Sequence, residues 1–282
     1  MLETIYEQTI NKLIKAGIAS PRLEARLLIS YVLGTVPDEV GVQTIVPDNL
    51  LEKLDNCVQK RVDGMPIDKI LGHKEFYKYD FIVSKDVLSP RPDTEILLET
   101  ALRILQLSGG KYVLELGVGS GCVLSSVLKE IIDIQGVGVD ISTKALSITR
   151  QNMQRLGVQN RGNLVCKDWF DDDFVECLNR EFDMIVSNPP YIKTGDIQSL
   201  DTEVQKYDPL LALDGGEDGL KHYTRIAKIA PTLLCAGGYV LLEIGFGQAA
   251  DVKQIFEKAG LKHNNTIKDL SGIERVLVFE KC

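Results

Sequence analysis

The chain has 282 residues, 44% of them hydrophobic and 26% charged, with a formal net charge of −8. That length suits one large domain or two smaller ones, with enough apolar material for a sizeable core. A protein gripping long nucleic acid through its phosphates is usually basic, so the acidic balance argues against such a partner, and no window approaches the ~20 apolar residues of a membrane span.

The first residues, MLETIYEQTINKLIKAG, alternate charge and apolarity at helical spacing and lack the unbroken apolar stretch of a signal peptide, so a cytoplasmic location is expected. Leu2, Ile5, Tyr6, Thr9, Ile10, Leu13 and Ile14 line one face, and Gly17 closes the helix. Ser20 followed by Pro21 reads as an N-cap and a first-turn proline. The next stripe is Leu23, Leu27, Leu28, Tyr31 and Val32, ending at Gly34. A third helix starts near Asp48 and carries Leu50, Leu51, Leu54, Val58 and Val62 up to Gly64. Short connections predict a small helical bundle over residues 1–70, suited to docking or packing. From Ile67 to Val87 the pattern changes. FYKYDFIVS, aromatic and β-branched with a polar centre at Lys78 to Asp80, predicts a short hairpin in a linker over residues 71–90. SPRPDTEILLETALRIL then opens a helix, with Asp93 and Glu95 at its positive N-terminal end.

Over residues 91–282 strands alternate with helices. Strands are predicted at Tyr112–Leu116, Gly136–Val139, Asn163–Lys167, Phe182–Ser187, Tyr239–Ile244 and in IERVLVFEK. Helices are predicted at Cys122–Ile132, Lys144–Leu156, Leu220–Cys235 and Gln248–Ala259. The alternation implies an α/β fold, a mostly parallel sheet covered on both faces, with ligands outside the carboxyl ends of its strands.

Three strand tips carry the chemistry. The first strand runs into Gly117-Val118-Gly119-Ser120-Gly121, where glycines permit positive φ and close backbone approach. The dinucleotide fingerprint needs glycine at the position of Cys122, and a phosphate loop needs Gly-Lys-Ser/Thr, so neither fits. The second strand ends at Asp140, whose carboxylate suits the hydroxyls of a ribose. The third ends in CKDWF, placing Asp168 near an adenine amino group and Trp169 as an apolar wall. Together these tips look like an S-adenosylmethionine methyltransferase. The fourth strand ends in Asn188-Pro189-Pro190-Tyr191. The Asn188 side-chain oxygen and the Pro189 carbonyl suit the two hydrogens of one planar –NH₂ group, the prolines preorganise them, and Tyr191 suits the flat face of the substrate. No strong base is needed, because the nitrogen becomes more acidic as it gains the methyl, and acceptors stabilise the charge developing there. These residues alone leave open adenine, guanine or glutamine as the acceptor, and a donor-binding protein without activity.

Elsewhere the signals are weaker. Cys57, Cys122, Cys166, Cys177, Cys235 and Cys282 form no C-x-x-C pair and mostly sit in apolar runs, so buried reduced thiols are expected rather than disulfides or a metal site. His73, His222 and His263 are scattered, which suits surface or loop roles. DGGEDGL, Asp214 to Leu220, does not fit a calcium loop and reads as a helix-initiating turn.

The stretches KILGHKEFYKYDFIVSKDVLSPRPDTEILLE, VLELGVGSG, FDMIVSNPPYI and LALDGGEDGLKHYTRIA resemble the HemK/PrmC family, protein-(glutamine-N5) methyltransferases acting on peptide chain release factors. The resemblance covers nearly the whole chain and is closest from about 67 to 245. It implies a Rossmann-like methyltransferase sheet with a small all-α N-terminal domain joined by a β-hairpin. It implies S-adenosyl-L-methionine as donor, held by Glu115, Gly117, Gly119, Ser120, Gly121, Asp140, Ile141, Asp168, Trp169 and Asn188. It implies a substrate site of Asn188, Pro189, Pro190, Tyr191 and Arg91, with Asn188, Pro189 and Tyr191 catalytic. The implied acceptor is the glutamine in the Gly-Gly-Gln loop of class I release factors, with a ribosomal protein or nucleic acid as the alternative. A monomer is expected, with no stable nucleic acid partner. Ser89 departs from the apolar residue the family commonly has before PRP, and Val118 and Cys122 are further choices of this chain, but none removes a proposed chemical group.

Overall fold

The computed structural model describes residues 4–282. The chain divides into two compact units, residues 1–73 with 201–207, and residues 74–200 with 208–282.

The first unit is helical. Its helices are α1 (Ile5–Lys15), α2 (Pro21–Leu33), α3 (Asp48–Val62) and α4 (Ile67–Leu71). Thr4 and Glu7 form a reciprocal capping box that satisfies the first free N–H groups of α1. Gly34 ends α2 in the left-handed region, φ 70°. Ser20 makes no side-chain cap, so Pro21 alone marks the start of α2. The buried faces are Tyr6, Thr9 and Leu13 from α1, Ala25, Leu28, Ile29 and Val32 from α2, and Leu54, Cys57 and Val58 from α3. Four stripe residues face outward instead: Ile14, Leu23, Tyr31 and Val62 are exposed. These residues lie at the margins of their stripes, and packing decides how much of each stripe is covered. Leu2 lies outside the described residues. Arg61 is buried among carboxylates: its Nε donates to Glu24 at 2.5 Å and its Nη1 to Glu203 at 2.6 Å. Through Glu203 a short stretch from far along the chain becomes part of this unit.

The second unit begins with the hairpin β1 (His73–Phe76) and β2 (Tyr79–Ile82), of which only His73 belongs to the first unit; Phe76 and Phe81 meet edge to face at 6.0 Å. Then come α5 (Pro92–Ser108), β3 (Tyr112–Leu116), α6 (Cys122–Glu130), β4 (Gln135–Asp140), α7 (Thr143–Leu156), β5 (Gly162–Cys166), α8 (Phe174–Leu178) and β6 (Phe182–Ser187). The first unit's α9 (Thr202–Tyr207) follows in the chain. The remainder is α10 (Lys221–Leu233), β7 (Leu234–Glu243), α11 (Ala249–Lys258), β8 (Lys262–Lys268) and β9 (Glu274–Glu280).

Seven strands form one sheet in the order β5-β4-β3-β6-β7-β9-β8. The pairs from β5 through β7 are parallel, and β9 runs antiparallel to both β7 and β8. The central parallel strands are buried on both faces, as Val113, Leu114 and Leu116 of β3 show, while the edge strand β5 is only partly buried. One face is covered by α5, α6 and α7 through Leu97, Val123 and Met153, the other by α10 and α11 through Tyr223, Ile226 and Phe256. Strand order reverses between β3 and β6, whose Leu116 and Ser187 pair at the carboxyl ends. That point is where open α/β sheets bind ligands.

Two expectations are corrected. Among the cysteines only Cys57 and Cys122 are buried; Cys166, Cys177 and Cys282 are exposed and Cys235 is intermediate. His222 lies in α10, half-buried, not in a loop.

Candidate active site

The loop after β3 turns back onto β4: the N–H groups of Gly117 and Val118 both donate to the Val139 carbonyl at 2.9 Å. Gly117, Gly119 and Gly121 all have positive φ, at 76°, 55° and 76°. A Cβ on Gly121 would stand 2.5 Å from Thr149 Cγ2, so glycine there is required by space as well as by dihedral. Side chains pin this backbone from three directions. Asp140 Oδ2 accepts from Gly119 N–H at 3.0 Å while its Oδ1 accepts from Ser142 N–H at 2.9 Å. The Thr149 hydroxyl donates to the Gly119 carbonyl at 2.8 Å. Asn152 Nδ2 donates to the Ser120 carbonyl and to the Ile82 carbonyl, and its Oδ1 accepts from Ile82 N–H at 2.7 Å. One buried amide thus joins the glycine loop to the hairpin.

Beneath the loop, Glu115 is buried and accepts from Leu124 N–H at 2.8 Å. Burial pushes its carboxyl up to about 8, opposed by that hydrogen bond and reinforced by the Asp140 charge. Asp140 is itself raised by burial, against the hydrogen bonds of its loop.

A largely apolar cavity opens at these tips. It is lined by Glu115, Gly117, Gly119, Ser120, Asp140, Ile141, Trp169, Asn188 and Pro190, with Arg91 and Thr94 from the start of α5. Trp169 is buried against Gly117, where a Cβ would meet the indole at 3.4 Å. Arg225 holds the Trp169 carbonyl at 2.5 Å and His222 meets the indole edge to face at 5.5 Å. Ser89 Oγ and Trp169 Nε1 are buried without a protein partner, on residues that line the cavity. Gly121 and Asp168 do not line it; the Asp168 carboxylate accepts from Phe170 N–H at 2.9 Å.

The second half of the site is the loop after β6. Asn188 is half-buried and Pro189 and Pro190 are buried. Tyr191 and Pro189 do not line the cavity. The Tyr191 ring lies against Gly245, where a Cβ would come within 2.9 Å, and burial pushes its hydroxyl up to about 12. Gln248 donates to the Tyr191 carbonyl at 3.0 Å and accepts from Gly245 N–H at 3.0 Å. DGGEDGL precedes α10, as expected of a helix-initiating turn, and it also buttresses this loop: Gly215 N–H donates to the Ile192 carbonyl at 2.7 Å. A Cβ at Gly215 would come within 2.8 Å of the Tyr191 backbone. Arg91 forms an ion pair with Asp208 at 3.2 Å while remaining half-exposed.

Thr149, Asn152, Gln248 and Glu243 were not marked in the sequence. Only Glu243, a polar residue in the apolar run YVLLEIG, carries a local signal; Thr149, Asn152 and Gln248 lie in mixed polar stretches.

The donor set matches an adenosyl ligand. A glycine cradle leaves room beside Trp169, a strand-tip acid retains lone pairs for hydroxyls, and buried polar atoms lack protein partners. Fold and site define an S-adenosylmethionine-dependent methyltransferase. Residues 4–72 match the PrmC N-terminal domain and residues 91–205 the methyltransferase small domain. The release factor glutamine methyltransferase of Agrobacterium fabrum is 40% identical over 276 residues, covering 96% of this chain and 94% of that protein. That of Rhodospirillum rubrum is 40% identical over 268 residues, covering 94% and 81%. In structure, the ribosomal protein L11 methylase of Lactobacillus delbrueckii subsp. bulgaricus matches with a TM-score of 0.50 at 15% identity, over 71% of this chain and 84% of that one, a likeness of fold alone. The chain belongs to the release factor glutamine methyltransferase family.

Proposed function

We propose that this protein transfers a methyl group from S-adenosylmethionine to the side-chain amide nitrogen (N5) of the glutamine in the Gly-Gly-Gln loop of class I peptide chain release factors, in the cytoplasm and as a monomer. The observation that carries the reading is Asn188 lining the donor cavity on a loop held by two buried prolines. The kinship with release factor glutamine methyltransferases supports the acceptor. The net charge of −8 favours a protein over a nucleic acid partner, and among the described residues no helix is long and apolar enough to cross a membrane.

Gly117, Gly119 and Ser120 would cradle the donor, Asp140 would hold its ribose hydroxyls and Trp169 would wall the cavity. The donor would supply an electrophilic methyl on a sulfonium, whose S–CH3 bond breaks to leave S-adenosyl-L-homocysteine as the neutral thioether product. Asn188 Oδ1 and the Pro189 carbonyl accept from the glutamine –NH₂ and orient its nitrogen lone pair toward that methyl. Both acceptors stabilise positive charge as it develops on nitrogen, and the proton then leaves to water. Arg91 orients the incoming loop. Because the prolines hold the loop before substrate arrives, little ordering remains to oppose binding.

Intact-mass measurement of an unmodified release factor after incubation with the protein and S-adenosylmethionine tests this, followed by peptide mapping. One methyl on the Gly-Gly-Gln glutamine is the expected result. No gain, with donor binding confirmed by calorimetry, would overturn the acceptor while keeping the donor site.

A further inference from the structure

Asn188 is the end of a buried hydrogen-bond chain. Its Nδ2 donates to Thr94 Oγ1 at 3.3 Å, and the Thr94 hydroxyl donates to Glu243 Oε2 at 2.7 Å. Thr94 and Glu243 are both buried. The three residues come from separate elements. Glu243 closes β7, whose Leu242 pairs with Ser187, so the sheet register brings it beside Asn188. Thr94 sits in the first turn of α5, and its hydroxyl bridges the other two.

The chain has a direction. A carboxylate only accepts, and a threonine hydroxyl has one hydrogen to give. With Glu243 ionised and accepting, as it is above about pH 7 because burial pushes its carboxyl up to about that value, Thr94 offers only a lone pair to its neighbour. The Asn188 amide must then turn its –NH₂ toward Thr94 and leave Oδ1 free to accept. Were residue 243 able to donate, the Thr94 hydroxyl could reverse and donate to Asn188 Oδ1. The amide would then present –NH₂ to the site, the wrong partner for another –NH₂.

We infer that Glu243, acting through Thr94, is a positioning residue that fixes the Asn188 amide with its oxygen toward the substrate, selecting an acceptor that presents –NH₂. The inference rests on the glutamine reading above. It extends that reading to discrimination: a substrate loop with glutamate in place of the glutamine meets an acceptor facing an acceptor. An unpaired buried polar contact of that kind rejects an analogue far more strongly than a change of shape does.

The test compares the wild type with Thr94→Val, Thr94→Ser and Glu243→Gln. Valine keeps the shape of threonine and removes the relay; serine keeps the relay and removes a methyl; glutamine keeps the volume at 243 and adds a donor. Methylation of release factor by Thr94→Val and Glu243→Gln is expected to fall roughly 10- to 100-fold in kcat, as when outer partners of a site are removed. The KM for S-adenosylmethionine stays near wild type in Glu243→Gln, whose side chain does not line the cavity, and Thr94→Ser recovers most of the rate. A purely structural role would move the donor KM in Glu243→Gln as well and would penalise serine as much as valine at residue 94. A second readout needs no substrate. The side-chain amide hydrogens of Asn188, assigned by their absence in Asn188→Ala, are expected to exchange slowly in wild type and Thr94→Ser and fast in Thr94→Val. Unchanged kcat in both Thr94→Val and Glu243→Gln, or unchanged exchange in Thr94→Val, would overturn the relay. A wild type that leaves the release factor unmethylated would instead overturn the substrate reading, and the exchange measurement would still decide the relay.

Discussion

The two halves of the site are held in different ways. On the donor side the working surface is backbone. Glycines at positive φ expose it, and Asp140, Thr149 and Asn152 tie it to neighbouring elements. On the acceptor side the proposed working groups are one side chain, Asn188, and one carbonyl, that of Pro189. Prolines stiffen their loop, Gln248 and a glycine-rich turn support it from behind, and Thr94 with Glu243 sets the direction of the amide. A backbone cradle tolerates variety in its ligand's edges, because N–H and C=O groups occur at every residue. A directed amide is selective, because turning it over reverses its hydrogen-bonding sense.

Breaking the acceptor side at its centre gives the largest effect. Asn188→Ala is expected to lower methylation by about 10²–10³, the usual cost of removing one preorganised group that stabilises developing charge. Donor affinity, measured by calorimetry, falls far less. Equal losses in rate and donor affinity would erase the distinction between the two halves.

The donor side breaks at Gly121. An alanine there meets both the left-handed dihedral, worth about 1–2 kcal/mol, and a 2.5 Å approach to Thr149 Cγ2. Gly121→Ala is expected to lose donor binding and melt earlier than wild type. A wild-type melting curve with intact donor affinity would show that the cradle needs no such backbone.

Asn152→Leu sharpens the contrast. It leaves the Ser120 carbonyl and both polar groups of Ile82 without their partner, at about 1–3 kcal/mol for each buried group left unsatisfied. The expected signature is weaker donor affinity and lower stability, with methylation at saturating donor nearly retained. A fall in kcat at saturation would mean that the two halves are coupled.

A further effect is in pH and is read in stability rather than in rate. Glu115 has its carboxyl raised to about 8 in the folded protein, from an ordinary value of 4.5. Between those values the folded state holds a proton that the unfolded state has released, so stability is fully present below about 4.5 and is lost as pH rises through about 8. Glu115→Gln can still accept from Leu124 N–H and removes that slope. The melting temperature of the variant is expected to match the wild type most closely near pH 4.5 and to exceed it increasingly up to about pH 8. A constant gap across that range would place the Glu115 carboxyl near its ordinary value.

Legibility in the sequence followed the same division. The glycine loop, Asp140 and the Asn-Pro-Pro-Tyr loop stood out because each lies within a few residues of a strand end. β3 and β6 were also legible to the residue, as apolar runs stopped by glycine or by Asn-Pro. By contrast β8, Lys262-His-Asn-Asn-Thr-Ile-Lys268, is a polar edge strand without an apolar run to mark it. The outward turn of Ile14, Leu23, Tyr31 and Val62 was hidden because an apolar stripe does not show how much of its width its neighbours will cover. The inclusion of 201–207 in the helical unit depends on Arg61 finding Glu203, a pair no local pattern shows.

What the sequence by itself determined is whatever neighbouring residues decide together: the alternation of strands and helices, the positive-φ glycines, the stiff proline loop, and hence the class of chemistry. Tertiary structure alone decided which groups meet across long separations: Asn152 on Ser120 and Ile82, Arg61 between Glu24 and Glu203, and Thr94 between Asn188 and Glu243. The physical reason is that dihedral preference and hydrophobic period are local, whereas a buried polar group must find its partner wherever the folded backbone brings one within about 3 Å.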